Sequence, residues 1–485
     1  MARTKRWLGP LAIPALAMSP SACSSTASPH PQLVVVIDTD AHVVEELPAR
    51  GDVSPAAAID SLRVDVLDSS NRTYATNAFI LSDASSWPLS FGVAAGVQSS
   101  EVRLRIRAFR ALLAHPGTHN GSSVLDPPPE VTIERLAWLV LPTSGVSRVR
   151  VLLTENCMGI SSSFLAPETT CLDAMHPAAD PHDGVEALAD VQPPATRVGT
   201  WAAALERPCT ATSTADQVCI PGGFSILGDY DAAGADVLVA TEEPFPLHPV
   251  LVSPFLLDKY EFTVGRFRRL VQSGAFSADV AQPTMPTPGD SLLADCTWLG
   301  ASDGTNDQLP LNCVSYATAS LACELSGGTL PTEAQWEHAA RGRGEGRRYP
   351  WGNAEPQCCT VSAGRGSTLV PSAGCRSGTG VEEVGSHAPI AACDNLGDVS
   401  KDGVFDMAGS LTEALLDDFQ AYSAACWGRG VLNDPVCKAM VEAHSSRGAY
   451  WNAGLAEALL VLRHVFVGVG ESTVGFRCAY PGSTP

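Results

Sequence analysis

Positive charge is scarce in this chain. Lys and Arg number 31 against 52 Asp and Glu, a formal net charge of −21. A phosphate backbone needs a basic surface, so no nucleic-acid partner is expected. The acidic excess argues for solubility instead. Long apolar runs are missing too. The candidate at residues 7–18 is too short to cross a bilayer and is broken by Pro10 and Pro14. No low-complexity tract dominates, and no Ser/His/Asp arrangement points to nucleophilic catalysis. Gly342, Gly344 and Gly346 lack the strand and βαβ context of a phosphate cradle. Arg341, Arg343, Arg347 and Arg348 read as a solvated basic loop rather than a grip on an anion.

What is present bounds the architecture. The chain has 485 residues, 45% of them apolar, enough for two or three domains with real cores. Fifteen cysteines indicate an oxidising compartment. Arg3, Lys5 and Arg6 precede the short apolar segment, and Ser21-Ala22-Cys23 resembles a bacterial lipobox, although Pro20 stands where leucine is usual. Residues 1–23 therefore read as a signal peptide with Cys23 as the lipidation site, and 24–31 as a Ser/Pro-rich tether. The expectation is an exported protein: an outer-membrane-anchored lipoprotein, or a periplasmic or cell-surface protein, meeting the membrane through the lipid on Cys23.

Residues 33–37, 62–67, 102–109 and 146–153 are apolar or alternate with period two between Gly/Pro/Ser/Asn loops. This pattern predicts an all-β, antiparallel sandwich-like domain over 32–155. Arg103, Arg105 and Arg107 would share one face, read as solvated, and the Arg50-Gly51-Asp52 tripeptide is read as chance. His115 and His119 enclose Pro116 and Gly117, which reads as a loop and not a metal-binding helix. Residues 156–208, rich in Pro, Ala and acids, read as a linker in which Cys157 and Cys171 close a small loop.

A second domain is expected over 209–485. Cys209 and Cys219 flank a polar loop and are expected to pair. Thr263 is placed to cap a helix with Phe267, Leu270 and Val271 inward, and Ser315 to cap another with Leu321 and Leu325 inward. Thr332, with Gln335 three residues on, predicts a capping box for a third helix. That helix buries Trp336, Ala339 and Ala340 on one face and stops at Gly342.

GGFSILGD, FLLDKYEFTVGRF, LPLNCVSYATASLAC, GTLPTEAQWEHAARG, YPWGN, DGVFDMAGSLTE, RGAYWN and VGFRCA follow one another in that order. In this ordered set the chain resembles the formylglycine-generating enzyme (sulfatase-modifying factor) family over about residues 209–482. The resemblance implies an α+β C-type-lectin-like fold with long loops. It implies a disulfide between Cys323 and Cys478, which would close a loop of roughly 150 residues for on the order of 4 to 5 kcal/mol. Cys296 with Cys313 and Cys426 with Cys437 are candidate local pairs. Cys358, Cys359, Cys375 and Cys393 leave two more of unassigned connectivity, read as disulfides because their spacing matches no zinc pattern.

The resemblance also implies chemistry. The family oxidises a substrate cysteine with oxygen and copper(I) held by two thiolates, soft ligands suited to that ion. Aligned on residues 447–452, those positions are Ala453 and Ala458, and alanine binds no metal. No catalytic residue is assigned, and copper is not expected. Relatives that form carbon–sulfur bonds use a histidine-rich iron site in an extra helical domain, which the β-patterned first domain does not offer. Calcium is the candidate cofactor. The family holds it around a GNxWEW motif that aligns with residues 409–414, giving Ser410, Leu411 and Glu413 as candidate ligands. Asp398 and Asp402, oxygen donors before the turn at Gly403, form a weaker candidate. The functional expectation is a domain without oxidase activity that binds a protein, peptide or glycan or serves structurally. The alternative is a copper- and oxygen-dependent formylglycine-generating oxidase with rearranged ligands.

Overall fold

A computed structural model describes residues 31–43, 59–81, 83–94, 100–119, 122–189, 195–229, 244–276, 282–290, 293–366, 375, 378–468 and 470–483. The signal segment, Cys23 and the Arg50–Asp52 tripeptide lie outside the described residues, as does the tether up to residue 30.

The first unit is a two-sheet sandwich. Its strands are β1 (Gln32–Thr39), β2 (Ser61–Leu67), β3 (Thr73–Ile80), β4 (Leu89–Ala94) and β5 (Glu101–Phe109), then β6 (His115–His119), β7 (Ser122–Asp126), β8 (Ile133–Val140), β9 (Val146–Leu153) and β10 (Val185–Ala187). One sheet runs β10-β9-β1-β4, the other β3-β2-β5-β8, and β6–β7 is a separate hairpin. Period-two alternation sends Leu33, Val35 and Ile37 from the first sheet, and Leu62, Val64, Leu104 and Ile106 from the second, into one core.

Four expectations change here. The sandwich is mixed, because β1 and β9 pair in parallel. The 156–208 stretch is more than a linker, because β10 lies within it and adds to the sheet edge at β9. The arginine face of β5 is only partly solvated. Arg107 is buried against Asp65 at 2.7 Å and also meets Asp126 of β7, Arg105 pairs with Glu134, and Arg103 lies over the Trp138 ring. Alternation located that face correctly, but strand periodicity says nothing about the hairpin and the acids that cover it. His115 and His119 begin and end β6, a strand rather than a loop.

The second unit carries β11 (Gln217–Ile220), β12 (Gly223–Leu227), β13 (His248–Val252), β14 (Phe255–Asp258), α1 (Val264–Gln272), α2 (Tyr316–Leu325) and α3 (Glu333–Ala340), followed by β15 (Thr412–Asp418), β16 (Leu432–Asn433), β17 (His444–Arg447), β18 (Arg463–Phe466), β19 (Val474–Gly475) and β20 (Ala479–Pro481). Three small sheets, β11-β14-β20, β12-β13-β16 and β18-β17-β15-β19, are joined by long loops. This is the α+β fold with little regular structure. Thr263, Ser315 and Thr332 each accept a backbone N–H as N-caps. On α2 the inward face is Ala319, Ala322 and Cys323, while Leu325 is exposed. The Cys323–Cys478 disulfide draws that small-residue face against the terminal segment. Among the described residues no helix is long and apolar enough to cross a membrane.

The two units touch. Phe224 of β12 and Leu251 of β13 belong to the sandwich core, and Phe224 meets Trp201 edge-on at 6.0 Å.

Candidate functional site

The site is organised by α3. Thr332 Oγ1 accepts the Gln335 N–H, and Gln335 Oε1 accepts the Thr332 N–H, so the capping box is complete. The helix is buried on every face, not one: Glu333, Trp336, Glu337, His338, Ala339 and Ala340 all lie inside. Charges in the interior need partners. Glu333 accepts from Arg447 Nε at 2.8 Å, from Arg463 Nε at 2.6 Å and from Ser445 Oγ at 2.9 Å. Burial alone would raise its carboxyl, but Arg463 and Arg447 hold it at about 2. Arg447 Nη2 also donates to Glu337 at 2.6 Å, and Arg341 to Glu337 at 2.8 Å. Glu333, Glu337 and Arg341 stand at i, i+4 and i+8, the one sequence signal that could have announced a charged inner face.

This network pins Arg447, and Arg447 opens the segment where the family keeps its thiolates. Gly448 turns the chain at φ +85°, where an added Cβ would meet the Met407 carbonyl at 2.9 Å. Trp451 N–H then donates to Ser410 O at 2.8 Å, and Gly364 N–H to Ala453 O at 2.7 Å. Ala453 and Ala458 are both buried, and Ala458 packs in the same core as Trp336 and Ala339. The fourteen cysteines among the described residues form seven disulfides: 157–171, 209–219, 296–313, 323–478, 358–375, 359–393 and 426–437. No thiol is therefore left among the described residues, and the donor set does not fit copper(I).

The calcium candidates are engaged elsewhere. Glu413 takes Arg477 on both oxygens, Nη2 at 2.5 Å and Nε at 2.7 Å, and Trp336 Nε1 at 2.8 Å. Ser410 Oγ and Leu411 N–H donate to the buried Glu261 at 3.1 Å each. Asp398 accepts the N–H groups of Met407, Ala408 and Gly409, and burial, reinforced by the charge of Asp406, pushes it up to about 7. Asp402 pairs with Arg343 at 3.1 Å. The Arg477 guanidinium on both Glu413 oxygens already puts a positive charge where a cation would have to sit. Among the described residues no group of three or more His, Cys, Asp or Glu is set to hold a metal. The arrangement does not fit calcium at either candidate position.

The loop after α3 does something the sequence did not announce. Gly344, Glu345, Gly346 and Arg348 line a cleft with Arg110 and His115 of the sandwich and Leu459 of the segment after Ala458. Arg341 reaches Asp229 at 2.8 Å, Arg347 reaches Glu345 at 2.7 Å, and Arg343 meets Glu206 at 2.5 Å, so the basic loop is largely paired rather than solvated. Arg110 had no sequence signal at all.

Lectin-like loops around a fully buried α3, and an arginine-led segment behind it, define a domain of sulfatase-modifying-factor type. Residues 202–481 match the model of the sulfatase-modifying factor enzyme 1-like domain, and the chain belongs to that family. It is similar to the formylglycine-generating enzyme of Streptomyces coelicolor, 30% identical over 167 residues covering 29% of this chain and 52% of the relative. It is also similar to inactive C-alpha-formylglycine-generating enzyme 2 of Mus musculus, 29% identical over 161 residues covering 28% and 50%. The chain thus spans about half the length of the curated relatives it matches. The structure of PvdO from Pseudomonas aeruginosa is a further neighbour, with TM-score 0.42 and 20% identity, covering 57% of this chain and 99% of that one.

Proposed function

We propose that this is an exported protein whose sulfatase-modifying-factor-type domain has kept the scaffold without the oxidase chemistry, and works as a binding or structural module for a protein, peptide or glycan. The observation that carries this reading is alanine at both 453 and 458 beside seven closed disulfides. Copper(I) without thiolates has no soft ligands there. Export is supported by the disulfide content, which needs an oxidising compartment, and by the basic and apolar residues before Cys23.

Anaerobic copper(I) titration of the oxidised protein, followed by cysteine-containing peptide and oxygen, tests the reading. The expected result is no stoichiometric copper binding, no peptide aldehyde and no free thiol in the folded protein. Tight copper binding with aldehyde formation would replace it with an oxidase using rearranged ligands, an activity that the name of the Streptomyces relative carries. The anchor is tested separately: Cys23→Ser should move the protein from the membrane fraction to the soluble one.

A further inference from the structure

The cleft between the two units encloses about 310 Å³, at the lower end of the volumes that hold small ligands. Leu112 and Leu113 of the sandwich face Leu247, Leu459 and Val461 of the second unit across it. Its charged residues are Arg110, Asp229, Arg341, Glu345 and Arg348. Four have partners. Asp229 and Arg341 hold each other at 2.8 Å, Glu345 is held by Arg347 at 2.7 Å and by Lys401 at 2.5 Å, and Arg348 meets the exposed Glu355 at 3.2 Å.

Arg110 is the remainder. Among the described residues it makes no ion pair and no side-chain hydrogen bond. Asp60 lies near enough for its charge to act on Arg110, while its Oδ1 accepts the Ala111 N–H at 2.7 Å. Burial pulls the Arg110 guanidinium below its ordinary range, with Asp60 acting against that pull. Arg110 is half-buried at the cleft wall, so its guanidinium donors can be reached by an acceptor that enters the cleft. Its planar fork matches a carboxylate. The lining alone carries three Arg against Asp229 and Glu345, one positive charge over, and Asp60 behind Arg110 offsets part of it, so a dianion such as phosphate is disfavoured. The leucine and valine walls call for an apolar body behind the anionic head.

We propose that this cleft binds the free C-terminal carboxylate end of an apolar peptide, with Arg110 gripping the carboxylate and the five aliphatic side chains holding the last residues. This names a ligand class for the binding-module reading and rests on that reading only for the existence of a ligand. Arg110 lies outside the 202–481 match, so the site is a product of joining the two units.

Titration calorimetry of the full chain with N-acetyl-Leu-Leu and with its C-terminal amide tests it. The free acid should bind about tenfold or more tightly than the amide, the ratio expected for charge-assisted hydrogen bonds. Arg110→Gln should bring the acid down to the level of the amide, and Arg110→Lys should restore part of the difference. Inorganic phosphate should not displace the acid. Equal binding of acid and amide, no binding of either at millimolar concentration, or displacement by phosphate would each overturn the proposal. If Arg110→Gln melts below the working temperature, the acid-to-amide ratio on the unmodified protein still decides. A positive oxidase assay with that ratio intact would sink the module reading and leave this one standing.

Discussion

Glu333 is wholly buried, and two guanidiniums close on its carboxylate. Arg463 also lies over the Tyr422 ring at 4.0 Å, so its position is fixed by both charge and stacking. Replacing Glu333 by Gln would leave two buried cations short of an anion. The expected loss is on the order of 3 to 5 kcal/mol, read from urea denaturation; a loss under about 1 kcal/mol would mean that Glu337 alone suffices. Asp417 behaves in the opposite sense. It accepts the Glu333 and Cys437 N–H groups at 2.7 Å each, and burial, with the charge of Glu333 beside it, pushes it up to about 7. A folded value above the unfolded 3.8 means that the folded state holds a proton that the unfolded state has released. Its contribution is full below about pH 4 and is lost as pH rises to about 7, at most on the order of 4 kcal/mol. Asp417→Asn loses one hydrogen bond, so it should be less stable at pH 4, yet its decline between pH 4 and 7 should shrink. Urea midpoints across that range would show it, and an unchanged slope would refute the assignment.

At the scale of elements, α3 separates what local sequence can say from what it cannot. Thr332 and Gln335 are three residues apart, so the start of the helix was readable. Thr332→Ala should cost about 1 kcal/mol and Thr332→Ser much less, measured by thermal or urea denaturation. Equal losses from both variants would point to packing of the Thr332 methyl rather than the cap. The strands of the sandwich were legible where they alternate, as in β2, β5 and β9. β3 was not legible: it is an edge strand with few buried side chains, so it carries no alternating apolar signal. The buried ends of α3 were invisible for another reason. Glu333 and Glu337 look like surface residues until Arg447 and Arg463, more than a hundred residues on, arrive through β17 and β18. Glu413 misled similarly. Its motif position suggested calcium, but only the fold could show Arg477 filling it.

For the molecule as a whole, the decisive feature is that the sandwich core does not end at the sandwich. Phe224 and Leu251, from adjacent strands of the second unit, are buried with Leu33, Ile37 and Val151 of the first. Those two residues sit on β12 and β13, whose neighbouring residues Leu227, Val250 and Val252 belong to the core around Trp336. Opening either unit therefore exposes part of the other, and the cleft at Arg110 exists only while both are docked. We expect one cooperative unfolding transition for the disulfide-intact protein. Phe224→Ala removes the ring that meets Trp201 and should cost about 3 to 5 kcal/mol of the sandwich's stability. It should also split the transition in two, because the remaining units then lack their shared apolar anchor. Calorimetry of the unmodified protein and the variant reads this directly. Two transitions already present in the unmodified protein, at temperatures unaffected by the variant, would show that the units are merely tethered and that the cleft is not a fixed site.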